Sequence, residues 1–396
     1  MHEECILIHY NEIGLKKGNR RYFENKLRKN ILRATTGLGV RGVRRLWGRM
    51  LITLKDDARP GEILAALQKV FGIAYFAPAR LIEQDIAAME TAAVELVDGK
   101  TFRSFKVATR RANKSFPLQS VEVNSRVGAR VQKASGAKVD LGDPECTVHI
   151  EIFDDSALVY VDRVEGPGGL PVGVSNKAVL LLSSGIDSPV AGYQMLKRGV
   201  DVIYVHFHSA PYTSPASIRN TQKLVELLTT YQYRSYLYLI PFLEIQQAIT
   251  SVVPASYRVI MYRRAMFYLA ERVAFKHKAN ALITGENVGQ VASQTLPNIR
   301  AINEPVRLPV LRPLCGFDKQ EIIERARAIG TYDISIQPYE DCCSLFVPDR
   351  PETNASIKTV LDFDQKLDLL PFYRQALQQA EKKKITSGSD FNGKEG

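Results

Sequence analysis

The apolar positions fall into two regimes along the chain. Up to about residue 164 they come as short alternating runs interleaved with helical patterns. Residues 6–10 read as a first strand. Phe23, Leu27 and Ile31 recur at helical spacing and predict a helix over 22–34. Residues 40–54 alternate as two strands around Trp47-Gly48-Arg49, and Ile63, Leu64, Leu67 and Val70 give one apolar face to a helix over 62–71. A further helix is expected over 86–97. Residues 101–111 alternate aromatic or apolar side chains with basic ones, a strand with one buried and one cationic face. A basic helix over 120–134 and strands at 139–141, 147–152 and 157–163 complete this regime.

Residues 165–173 are rich in Gly and Pro and read as a linker. Beyond them the pattern becomes strand, helix, strand. Val179-Leu180-Leu181-Leu182 is a continuous apolar run, as in a buried parallel strand. Strands at 201–207, 236–240 and 281–284 alternate with helices at 217–230 and 254–276. Such alternation predicts an α/β fold with a doubly wound parallel sheet, whose ligands bind outside the carboxyl ends of the strands. The last segment, 351–396, reads as a helix, then Lys382-Lys383-Lys384 and a disordered Gly/Ser/Lys tail.

Composition adds a partner. The formal net charge is +11. Residues 1–60 hold 14 Lys/Arg against 6 Asp/Glu, and residues 101–140 hold 9 against 2. These stretches point to a polyanion docking on the N-terminal half. Along residues 101–114, Arg103, Lys106, Arg110, Arg111 and Lys114 are the expected phosphate contacts, with Phe102 and Phe105 either core or stacking platforms. No apolar run reaches the ~20 residues of a membrane span, and residues 1–5 lack the features of a secretion signal, so the expectation is a cytoplasmic protein without membrane contact. Five cysteines form neither a disulfide framework nor a C-x-x-C pair. Cys5, Cys146 and Cys315 read as small buried hydrophobes. Cys342-Cys343, between Pro338 and Pro348, reads as a reactive thiol pair, because adjacent Cα atoms sit closer than disulfide geometry favours.

The densest chemistry follows the first parallel strand. Ser183-Ser184-Gly185-Ile186-Asp187-Ser188-Pro189 turns through small residues into a helix with Pro in its first turn. Backbone N–H groups and the helix dipole there favour an anion. Asp187 does not, unless Mg²⁺ or a cationic partner accompanies it. The stretch resembles the pyrophosphate loop of the PP-loop ATPases, Ser-Gly-Gly-x-Asp-Ser, with Ser184 in place of the first Gly. Ser is strained there if the position needs a positive φ and tolerable if it needs only a small side chain. A second motif, Thr284-Gly285-Glu286-Asn287-Val288-Gly289-Gln290-Val291-Ala292-Ser293-Gln294-Thr295, resembles the tRNA 4-thiouridine synthetases (tRNA sulfurtransferases) in particular. Val205-His206-Phe207-His208-Ser209 and Met261-Tyr262-Arg263-Arg264 are similar to the same family.

That resemblance implies an order of domains: an α+β ferredoxin-like unit at 1–60, a THUMP RNA-binding domain at 61–166, a PP-loop (adenine nucleotide alpha-hydrolase-like) domain at 174–350, and a C-terminal helix with a tail at 351–396. It implies an ATP site of Leu181, Leu182, Ser183, Gly185, Asp187, Ser188, His206, Phe207, Arg263, Gly285 and Gln294. Mg²⁺ would arrive with ATP, met by Asp187 rather than by a metal site of the protein alone. The alternative for His206 and His208 is a metal pair. Cys342 is implied as the persulfide carrier and Cys343 as a second thiol. The implied reaction adenylates the O4 of a uridine at tRNA position eight and replaces that oxygen with sulfur. A cysteine desulfurase would donate the sulfur, and a thiamine-pathway sulfur-carrier protein and a homodimer are further implied partners. A rival from the same fold is an AMP-forming amide ligase or another tRNA base modifier. The rival outside enzymology is an RNA-binding protein with a vestigial ATPase.

Overall fold

The computed structural model describes residues 3–46, 48–212, 214–338 and 350–387. The chain divides into two compact units, residues 1–171 and 172–396. Their charges are nearly even: 27 Lys/Arg against 21 Asp/Glu in the first and 26 against 21 in the second. The basic excess is thus a feature of local stretches rather than of the first unit as a whole.

The first unit contains β1 (Glu3–His9), α1 (Arg20–Ala34), β2 (Val40–Leu46), β3 (Arg49–Leu54), α2 (Pro60–Leu67), β4 (Tyr75–Glu83), α3 (Ile86–Val97), β5 (Ser104–Arg111), α4 (Ser120–Ser135), β6 (Lys138–Val139), β7 (Cys146–Ile152), β8 (Ser156–Tyr160) and β9 (Val164–Glu165). All nine strands join one sheet, ordered β2-β3-β1-β4-β8-β7-β5-β6, with β9 beside β4. The first apolar core runs past residue 60. Ile63, Leu67, Val70 and Phe76 pack with Ile6, Ile8, Leu27 and Ile31. The second core gathers α3 and α4 on β5, β7 and β8 through Met89, Phe105, Val127 and Ile150. β4 links the two despite Pro78, which the alternating pattern did not mark as a strand residue. The proline lies where pairing with β9 has ended (Phe76) and pairing with β8 has not begun (Arg80), so its missing N–H costs no ladder bond on that side.

The sheet is strongly curled. Arg49 on β3 and Glu151 on β7 are four strand spacings apart, roughly 19 Å in a flat sheet. Yet Arg49 Nε lies 2.5 Å from Glu151 Oε2. His9 of β1 comes within 3.5 Å of the same carboxylate, and Tyr160 Oη donates to it at 3.1 Å. Burial would raise the Glu151 pKa, but the hydrogen bond from His9 and the charge of Arg49 outweigh it and hold the carboxyl below the usual range. Leu7, Leu51, Ala77 and Leu158 form a small apolar cluster inside the curl. This network fixes the two halves of the first unit against each other.

The second unit contains β10 (Lys177–Leu181), α5 (Asp187–Lys197), β11 (Asp201–His208), α6 (Ala216–Gln232), β12 (Arg234–Pro241), α7 (Leu243–Val252), α8 (Ala255–His277), β13 (Ala281–Ile283), α9 (Leu296–Asn303), β14 (Val310–Leu311), α10 (Lys319–Ala328), α11 (Tyr332–Ser335), α12 (Ile357–Lys366), α13 (Leu370–Gln379) and β15 (Glu381–Thr386). Its sheet is ordered β14-β13-β10-β11-β12-β15, parallel except for the edge strand β15. The doubly wound expectation holds. Helices α7 and α8 bury one face against Val179, Val205 and Ile240. On the other face Gly192 of α5 sits against Leu180, Leu228 and Tyr204, where a Cβ would come within 2.8 Å of Leu180. One strand was not expected: Lys382–Lys384 are part of β15, paired antiparallel with β12. Lys382 Nζ lies 4.3 Å from the Tyr236 ring centroid, a cross-strand contact that a run of lysines does not advertise. No helix among the described residues is long and apolar enough to cross a membrane.

Glu151→Leu leaves Arg49 buried without its carboxylate. We expect a loss of about 3 kcal/mol in urea unfolding, with the double variant Arg49→Met/Glu151→Leu losing clearly less.

Candidate active site

The strand order reverses at β10: β11 and β12 lie on one side of it, β13 on the other. A crevice therefore opens at the carboxyl ends of β10 and β13, as in other doubly wound sheets. A cavity of about 550 Å³ occupies it. Its lining includes every residue expected at the nucleotide site except Gly185. The floor is apolar, with Leu181, Phe207 and, from α8, Ile260, Met266 and Phe267.

The Ser183–Ser188 turn closes on itself. Ser183 N–H donates to Ser188 Oγ (2.9 Å), and Ser188 Oγ donates to the Ser183 carbonyl (3.1 Å). Ser184 is buried and absent from the residues with positive φ, so the position calls for a small side chain rather than a left-handed backbone. Its hydroxyl has no hydrogen-bond partner among the described residues. The first turn of α5 has no side-chain cap, which leaves its N–H groups to the crevice. Gly285, just past β13, packs onto this turn. A Cβ there would lie 2.6 Å from the Ser188 backbone nitrogen, so only glycine allows the two strand ends to meet.

Asp187 has the cationic partner that its position demands. Lys319 Nζ, at the start of α10, lies 2.7 Å from Oδ1, and Gln290 donates to Oδ2 at 2.9 Å. Neither residue stood out in the sequence. Gln290 lies in a quoted motif, but Lys319 is 132 residues from Asp187 and carries no local signal.

Arg263 faces the cavity and is fixed from behind. Its guanidinium pairs with Glu286 at 2.7 Å and donates to Ser293 Oγ at 3.3 Å. Glu286 is 1% exposed and also meets Arg312 (2.7 Å) and the Thr284 hydroxyl (2.9 Å). Burial pushes its pKa up, but Arg263 and Arg312 pull harder and hold it below the usual range. Arg264 is buried on the other side of α8 and pairs with Glu304 (2.7 Å) and Asp364, so neither arginine is a surface residue. His206 lines the cavity, but its ring is engaged within the protein: Nδ1 with the Leu182 carbonyl (2.9 Å) and Nε2 with Ser217 Oγ (2.9 Å). It braces the strand end that precedes the loop.

In the first unit the expected phosphate residues separate. Lys106 and Arg110 occupy alternate positions of β5. Arg111 points to the opposite side and donates to the carbonyls of Leu118 (2.6 Å) and Phe116 (3.4 Å). Arg103 pairs with Glu145, and Lys114 is exposed. Phe105 is core, in edge contact with Phe102. Cys5 and Cys146 are buried as expected, and burial raises both thiols, Cys5 to about 12. Cys315 departs from expectation: it is exposed, on the turn that follows β14. Cys342 and Cys343 lie outside the described residues.

A nucleotide-binding PP-loop unit joined to a THUMP domain is the class that this fold and site define. Residues 5–77 match the ThiI ferredoxin-like domain, 83–162 the THUMP domain and 173–369 the family Thiamine biosynthesis protein (ThiI). A "Probable tRNA sulfurtransferase" from Moorella thermoacetica is 45% identical over 95% of this chain and 96% of its own. Another, from Thermus thermophilus, is 41% identical over 96% and 93%. A crystal structure described as a 4-thiouridine synthetase–RNA complex with bound ATP superposes with a TM-score of 0.90 at 38% identity, covering 97% of this chain and all of that one. The chain belongs to the tRNA sulfurtransferase family.

Two outcomes are expected from variants. Gly285→Ala drives a Cβ into the α5 turn, costs about 1–3 kcal/mol of stability and weakens nucleotide binding measured by calorimetry. Glu286→Gln strands two arginines and costs about 3 kcal/mol. Because the Glu286 carboxyl is depressed in the fold, its stabilisation is present above the ordinary glutamate value of about 4.3 and lost as pH falls below it. The acid limb of the pH–stability curve is therefore shallower in the Gln variant.

Proposed function

We propose that the protein is an ATP-dependent tRNA sulfurtransferase that makes 4-thiouridine at position eight. The observation that carries this reading is the cavity under the self-closed Ser183–Ser188 turn, with an uncapped helix N-terminus and Arg263 at its edge. ATP places its adenine on the apolar floor and its phosphates on the turn. Asp187, a half-exposed carboxylate, suits a Mg²⁺ that keeps most of its ligands from phosphate and water. Lys319 then exchanges Asp187 for a phosphate oxygen.

The uridine O4 attacks the α-phosphorus, and pyrophosphate leaves. The O4–adenylate is a good leaving group from C4. Arg263 and the α5 N-terminus stabilise the charge that develops on the phosphate. A persulfide on Cys342, loaded by a cysteine desulfurase, attacks C4 with its terminal sulfur, and AMP departs. A second thiol, Cys343 or an external one, attacks the Cys342 sulfur, releases 4-thiouridine and leaves a disulfide that a further thiol reduces. Sulfur transfer toward thiamine thiazole through a carrier protein, and a homodimeric state, belong to the same reading.

The test is to incubate the protein with ATP, tRNA, a cysteine desulfurase and labelled cysteine, then digest the tRNA. Labelled 4-thiouridine and one pyrophosphate per turnover are expected. Cys342→Ser should abolish thiolation and still release pyrophosphate in a tRNA-dependent manner. Undiminished thiolation by that variant removes Cys342 from the mechanism. Pyrophosphate release that does not depend on tRNA favours an AMP-forming ligase instead.

A further inference from the structure

Among the described residues, the nine-stranded sheet of the first unit carries its four α-helices on one face. Phe76 packs under α1 and α2 and Ile82 under α3 and α4, and the two point the same way along β4. The alternate positions make a helix-free face. Lys106, Ala108 and Arg110 of β5 lie on it, beside Thr147, His149 and Glu151 of β7, and Tyr160 of β8 stands opposite His149.

Arg163, just beyond β8, folds across this face. Its guanidinium carbon lies 4.7 Å from the Tyr75 ring centroid and 5.6 Å from that of Tyr160. One terminal nitrogen donates to His149 Nδ1 (3.1 Å) and to Tyr160 Oη (3.3 Å). An arginine only donates, so Nδ1 accepts and the imidazole is neutral. Its pKa is pushed down to about 4, first by burial and then by Arg163. His149 in turn stacks on Tyr160, with centroids 4.9 Å apart.

The bracing immobilises Arg163 without neutralising it. Among the described residues no carboxylate pairs with Arg163, Lys106 or Arg110, and Arg163 is exposed. By contrast Arg103 is paired with Glu145, and Arg111 is spent on backbone carbonyls. Aromatic faces against a guanidinium leave its edge N–H groups pointing outward, the arrangement that meets phosphate oxygens two at a time at little entropic cost. Two more unpaired cations follow along one strand, as successive contacts to a continuous phosphate backbone require.

We propose that Arg163, braced by Tyr75, Tyr160 and His149, binds a backbone phosphate of the RNA, with Lys106 and Arg110 beside it on the helix-free face of the sheet. This rests on the tRNA reading above and adds the residue and surface that carry it.

The test uses the full chain and an unmodified tRNA transcript, with affinity measured by fluorescence anisotropy across a salt series. Arg163→Ala should weaken binding about tenfold and lower the slope of log K against log salt by about one. Arg163→Lys should restore the slope but only part of the affinity, since it keeps the charge and loses the fork and the stacking. Arg103→Ala, the paired arginine, should change little. Equal affinity and slope for wild type and Arg163→Ala overturn the assignment while leaving the proposed function standing. Weakened affinity with an unchanged slope makes Arg163 a structural brace and also overturns it. A wild type that does not bind tRNA overturns the tRNA reading itself. Arg163→Gln, read together with its thermal midpoint, replaces the Ala variant if that one fails to fold.

Discussion

A carboxylate taken out of water costs several kcal/mol unless cations and donors meet it. Glu286 has that problem, and its solution shapes the cavity. Arg263 comes from the long helix α8, Arg312 from the segment after β14, and the Thr284 hydroxyl from the end of β13. Satisfying one buried side chain therefore positions three separate parts of the second unit. Gly285 is the residue between Thr284 and Glu286. With its neighbours anchored, it is held against the α5 turn at a distance no side chain permits. The packing of the Ser183–Ser188 turn thus depends on a neighbouring carboxylate whose own partners are Arg263, Arg312 and Thr284. The charges also balance usefully: one acid and two arginines leave a net +1, and the guanidinium lining the cavity is Arg263.

The first unit uses the same device for a different end. Glu151 is bracketed by Arg49, His9 and Tyr160, and the residues it gathers come from β1, β3 and β8. In the second unit the buried pair fixes the walls of a cavity. In the first it fixes the curl of a sheet, and with it the relation between the part that bears α1 and α2 and the part that bears α3 and α4. The curl also brings Tyr75 near β7 and β8. The aromatic bracket around Arg163 is therefore assembled from strands on both sides of the β4–β8 junction, which is why sequence spacing does not reveal it.

The boundary between what sequence shows and what it hides follows sequence separation. Helical and alternating periods are local, so α1, α3 and α4 and the parallel strands β10 to β13 could be read directly. The two dense motifs flanking β10 and β13 were legible because each combines small residues with a strand end. Their mutual approach then followed from the doubly wound order. What stayed hidden was each pairing made by a lone side chain across a long separation, such as Lys319 with Asp187 or Arg49 with Glu151. A single Lys or Arg has no pattern of its own. Two local rules were also misleading. Three consecutive lysines suggest a solvated tail, but pairing with the edge of β12 and stacking over Tyr236 make them a strand. Pro78 argues against a central strand, but a gap in the ladder accommodates it. Cys315 looked like a core residue by composition alone, and composition does not say which side of a turn faces water.

Asp187 shows how these separations matter for chemistry. A carboxylate in the first turn of a helix is favoured by the dipole, but it would repel a phosphate bound in the same turn. Lys319 answers the carboxylate with a counter-charge 2.7 Å away. The pair is partly exposed, so its attraction is screened and exchange costs little. On the proposed reading, a polyphosphate with a divalent cation would offer each member of the pair a stronger partner: the cation for Asp187, a phosphate oxygen for Lys319. A polyphosphate entering alone satisfies only the lysine and leaves the carboxylate facing negative charge. On the proposed ATP-binding reading, the same two side chains would favour a nucleotide that carries its metal over one that does not.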